Sequence, residues 1–99
     1  MADTTEMPWM RRTEKALDMY FTDNAEGIAS DIRPAKDGLT VDGLVNALSK
    51  LHSPDTMTPQ QRKIATAGAR GRREQIEREK YLLVRFQMRL GDTIRRVLS

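Results

Sequence analysis

His52 is the only histidine of the chain, and there is no cysteine. No thiolate nucleophile, disulfide or cysteine-based metal site can therefore form. A nucleophilic triad or a zinc site built on His52 needs partners at a defined spacing, and none is supplied. His52 stands just before Ser53-Pro54, where it reads as a helix-end residue favourable to the dipole. Acidic residues are scattered singly, so no paired-carboxylate motif for acid–base work stands out. No Gly-rich loop follows a strand-like run, so a phosphate cradle is not indicated. The sequence points to no catalytic, cofactor-binding or metal-ligating residue, and a non-enzymatic protein is expected.

The residues with chemistry to offer are basic. Arg62, Lys63, Arg70, Arg72 and Arg73 lie close together and are candidates for contacts to nucleic-acid phosphates. Aromatic residues do not interleave them, so a stacking platform for single strands is not indicated. A second use for these cations is internal. Residues 1–58 hold six Lys/Arg against ten Asp/Glu, whereas residues 59–99 hold eleven against four. An acidic first half can fold onto a basic second half, within one chain or between chains.

The elements that must position these groups read as helices. Thr58-Pro59-Gln60-Gln61 is a start signature, with a Thr cap, proline at the first helical position and Gln three residues after the cap. From there one long helix is predicted to the C-terminus, with Gly68 and Gly71 as the places where it would hinge. Its apolar stripe is Ile76, Leu83, Phe86, Leu90, Ile94 and Val97. A helix over 40–52 is predicted from Thr40 as cap and from Val41, Leu44, Val45, Leu48 and Leu51 at helical spacing. The short polar link after it predicts a helical hairpin. A further helix is predicted from Pro8 to about Ala25, with Gly27 as its stop. Residues 24–38 are expected to form a loop held down by Ile28, Ile32 and Leu39, because Pro34 disfavours helical geometry at Arg33.

These elements make an all-α bundle with a tail over 1–7 and one domain over 8–99. Leu, Ile, Val and Phe together number only 20 of 99 residues, which predicts a thin core completed by a protein partner or by self-association. Trp9, Phe21, Leu83, Phe86, Leu90 and Ile94 are the candidate interface residues, with Leu83, Phe86 and Leu90 as anchors. Leu17, Leu44 and Leu48 complete the same face. No apolar run approaches the roughly 18 residues of a membrane span, and the N-terminus lacks the features of a cleavable signal. A cytoplasmic location is expected, with export that needs no cleavable signal as the alternative.

Two local resemblances accompany this reading. Gly68-Ala69-Arg70-Gly71, with Arg72 and Arg73 after it, resembles the backbone-clamping loop of KH nucleic-acid-binding domains. That fold requires a three-stranded sheet, and no segment alternates as a strand does. Ala47-Leu48-Ser49-Lys50-Leu51, the link from Pro54 to Pro59 and the long final helix together resemble the helical-hairpin subunits of type III secretion needles and inner rods. That resemblance implies a secreted polymer packed through the C-terminal stripe. The Arg-rich, Gly-interrupted stretch from Ala67 to Arg73 departs from the pattern.

Overall fold

The computed structural model describes residues 7–35, 37–54 and 59–99, with backbone alone at 61 and 64–66. It is all-α: α1 (Pro8–Asp23), α2 (Ala25–Ala35), α3 (Val41–Leu51), α4 (Pro59–Ala67) and α5 (Ala69–Leu98). No strand occurs among the described residues, so the sheet that a KH domain needs is absent from them. α1, α2, α3 and α4 each pack on α5, and α2 also packs on α3.

Local signals explain most boundaries. Pro8 opens α1. Asn24 closes it, donating from its backbone N–H and from its side chain to the Tyr20 carbonyl at 3.0 and 2.8 Å. The Asn24 carbonyl then accepts the first bond of α2, from Ile28 N–H at 2.9 Å. The helix thus stops at Asn24 rather than at Gly27, which lies inside α2. Thr40 caps α3, its hydroxyl accepting from Gly43 N–H at 3.1 Å. Gly38, at φ +82°, makes the left-handed turn before it, a conformation that glycine adopts without steric cost.

Residues 25–35 form a helix where the sequence predicts a loop. Ile28 and Ile32 supply the reason: one helical turn apart, both are fully buried. Two such side chains contribute roughly 3–6 kcal/mol. Gly27 opposes this by about 1 kcal/mol, and Pro34 by up to about 3 kcal/mol. Burial prevails, and Pro34 sits in the last turn. Leu39, expected to pin this region, is exposed.

The predicted single C-terminal helix is two helices. Gly68 interrupts it in an extended conformation, φ 176° and ψ 171°, whereas Gly71 lies inside α5. Pro59 opens α4 as predicted; Thr58, its expected cap, lies outside the described residues.

The core joins Leu17 of α1, Ile28 and Ile32 of α2, Leu44 and Leu48 of α3, and Leu82, Phe86, Leu90 and Ile94 of α5. The α5 members step by four, forming the ridge along which helices interdigitate. Ile76 and Leu83 belong to a seven-residue line that meets this ridge only at Leu90, and both are about half exposed. Leu82, not Leu83, is therefore the first core residue of α5. Leu82→Ala should lower unfolding free energy by about 2–5 kcal/mol, and Leu83→Ala should change it by no more than about 0.5 kcal/mol. Urea denaturation of the two variants measures the difference.

Candidate interaction surface

Polar contacts first fix how α1 lies on α5. Trp9 meets Tyr81 edge-on at 5.3 Å between ring centroids, and the Arg78 guanidinium sits 5.6 Å over the Trp9 ring. Further along, Glu14 accepts from Arg85 Nε and from Arg89 at 2.5 Å each, and from the Tyr81 hydroxyl at 3.1 Å. Asp18 pairs with Arg89 next. The partners advance together, so α1 and α5 run parallel. This cluster is where the acidic half meets the basic half. Its sequence signal is a matched spacing of four: Glu14 and Asp18 on one helix, Arg85 and Arg89 on the other.

The cluster perturbs its own members. Burial raises the Glu14 pKa, but hydrogen bonds from Arg85, Arg89 and Tyr81 outweigh it and hold the carboxyl below its ordinary range. The hydrogen bond to Glu14 raises the Arg85 pKa. For Arg89, burial works in the opposite direction and is outweighed by the bonds to Asp18 and Glu14. These groups are structural partners of one another.

His52 is a second tie. It caps the C-terminus of α3, its Nε2 lies 2.7 Å from Asp31 Oδ2 of α2, and its carbonyl accepts from the Tyr20 hydroxyl of α1 at 2.5 Å. Burial pushes the Tyr20 pKa up, keeping the hydroxyl a donor. Among the described residues, no group of three His, Cys, Asp or Glu side chains is arranged to hold a metal ion.

The candidate interface residues divide by burial. Phe86, Leu90 and Ile94 are buried in the core, because α1, α2 and α3 converge on that part of α5. They are out of a partner's reach in the folded chain. Trp9 and Phe21 are half-buried against Tyr81 and Phe86 respectively. Leu83 is exposed, and Val84 and Met88 lie beside it on α5, each more than half exposed. Leu51 of α3 is 70% exposed. Val84 and Met88 also line a groove of about 590 Å³ between α3 and α5, with Val41 and Val45 opposite. Gly91 lies at this contact, where an added Cβ would meet Val45 at 3.7 Å, an ordinary van der Waals distance. Val84 and Met88 carry no signal in the seven-residue line, and only packing reveals them.

The basic candidates Arg62, Lys63, Arg70, Arg72 and Arg73 are all exposed, on α4 and the first turns of α5. Arg70 pairs with Glu74 at 3.6 Å while its own side chain stays 95% exposed. They take no part in the Glu14 cluster, which draws on Arg85 and Arg89.

The chain matches no protein-family model, no curated protein and no solved structure. Among the described residues, no helix is long and apolar enough to cross a membrane.

Because Glu14 is held below its ordinary range, the unfolded chain takes up this proton first as pH falls. Its stabilisation is full above the ordinary glutamate pKa of about 4.3 and is lost as pH falls through the lower folded value. Wild-type melting temperature should therefore drop on acidification below about pH 4.3, and Glu14→Gln should flatten that drop. Thermal melts of both proteins across this range supply the comparison.

Proposed function

We propose that this chain is a non-enzymatic assembly subunit that associates with a second copy of itself through the exposed apolar face of α5. The face comprises Ile76, Leu83, Val84 and Met88, with Leu51 of α3 exposed as well.

One observation carries the reading: the chain exposes more surface than a monomer of its size requires. Its accessible area is 7446 Å², whereas a compact monomer of 11.3 kDa exposes about 5,700 Å². Shape agrees with area. The radius of gyration is 15.6 Å, against about 12.6 Å for a compact domain of this length. Large apolar side chains on the unpartnered part of the longest helix are the groups whose burial would drive association. A homotypic contact also suits a chain with acidic and basic halves, since each copy brings both signs of charge.

Sedimentation equilibrium tests this. The wild type should show a mass of at least twice the 11.3 kDa chain at about 100 μM, and the mass distribution separates a closed dimer from an open polymer. Leu83→Asp combined with Met88→Asp should give a monomer that keeps the wild-type helical circular dichroism, since both side chains are about half exposed. A wild type that stays monomeric at this concentration overturns the proposal, as does a double variant that still associates.

A further inference from the structure

We infer that α4 and the first turns of α5 form a binding surface for the phosphate backbone of duplex nucleic acid. The surface is Arg62, Lys63, Arg70, Arg72 and Arg73, placed on both sides of the Gly68 break.

Three observations carry this. Residues 59–73 hold these five cations and no carboxylate, and all five side chains are exposed. Further along α5, Arg85 and Arg89 bind Glu14 and Asp18, and Arg78 sits over Trp9, whereas Arg70 pairs with Glu74 of its own helix and stays 95% exposed. Arg70, Arg72 and Arg73 are not among the partners of Glu14 and Asp18. Second, the corner between the two helices is built from small residues, Ala67, Gly68, Ala69 and Gly71. A Cβ added at Gly68 would meet nothing within 4 Å, so among the described residues the space immediately beside Gly68 is open. Third, four of the five cations are arginines, whose planar guanidinium forms two parallel bonds to a phosphate.

The same segment argues against other polyanions. An anionic membrane is bound by helices with a broad apolar face, and residues 59–73 contain one large apolar residue, Ile64. Single strands are held by aromatic stacking, and this segment has no aromatic residue. A duplex requires only a row of accessible cations, and its backbone contacts read no base sequence.

Fluorescence anisotropy with a labelled, random-sequence DNA duplex tests the inference. The full-length chain should bind at about 50 mM KCl and weaken steeply by about 200 mM. The slope of log affinity against log salt should reach at most about −4.5, the value for five phosphate contacts. Arg72→Gln with Arg73→Gln should reduce the slope by about 1.8, and Lys63→Gln, on the other helix, by about 0.9. Circular dichroism melts of both variants should match the wild type. Absence of salt-dependent binding at the lower salt overturns the inference, as does a slope that neither variant changes. Competition by polyglutamate, or by vesicles rich in phosphatidylserine, as effective as that by unlabelled duplex also overturns it. The first of these would assign the surface to an acidic protein and the second to a membrane.

Discussion

Burial of one ridge of α5 is the constraint on which the structure depends. Leu82, Phe86, Leu90 and Ile94 meet five aliphatic side chains from α1, α2 and α3, and together they are the fully enclosed apolar core. Each buried side chain of this kind contributes about 1.5–3 kcal/mol. In a chain this poor in large apolar residues, no second buried apolar cluster occurs among the described residues. The ridge also sets where the rest of α5 can go. α5 has 30 residues and is about 45 Å long at 1.5 Å per residue, which equals the 46 Å long axis of the molecule. The shared core with α1, α2 and α3 begins at Leu82 of α5, so the turns of α5 before it lie beyond that core, and α4 packs on α5 as well.

How much of this is legible in the sequence depends on which interactions are local. Pro8, Pro59 and the Thr40 cap act on neighbours in the chain, and each helix start they mark is present. The choice between Gly68 and Gly71 is not decidable locally, because both glycines carry the same helix penalty of about 1 kcal/mol. The chain breaks at Gly68 and the helix resumes at Ala69, so Gly71 is carried inside it. Residues 25–35 escape a local reading for a related reason. Gly27 and Pro34 are strong local signals, and the burial that overrides them depends on α3 and α5, which no window around Ile28 contains.

Leu82 and Leu83 show the same limit for the candidate interface. The two are adjacent and chemically identical, and the seven-residue line through Ile76, Leu83, Leu90 and Val97 selects Leu83. That line assumes a partner following a heptad seam. The neighbours in this fold instead cross α5 on its four-step ridge, which rotates about 40° around the helix at each step. Ridge and line share Leu90 and diverge away from it, so the error grows toward the N-terminus of α5. The residues freed by this shift, Leu83 and Ile76 with Val84 and Met88, are the ones left for an intermolecular contact.

The division of charge along α5 has its origin in the same geometry. The acidic residues of α1 reach only as far as α1 itself lies on α5, and that overlap includes Arg85 and Arg89. Toward the N-terminus of α5, Arg78 meets Trp9 near the start of α1, so cations before it face no carboxylate from that helix. Arg70, Arg72 and Arg73 lie beyond that overlap and are exposed, Arg70 pairing with Glu74 of its own helix. A chain with a formal charge of only +3 thus carries its cations unevenly, because the α1 carboxylates engage Arg85 and Arg89 where the helices touch, while the five cations of residues 59–73 lie exposed before that contact.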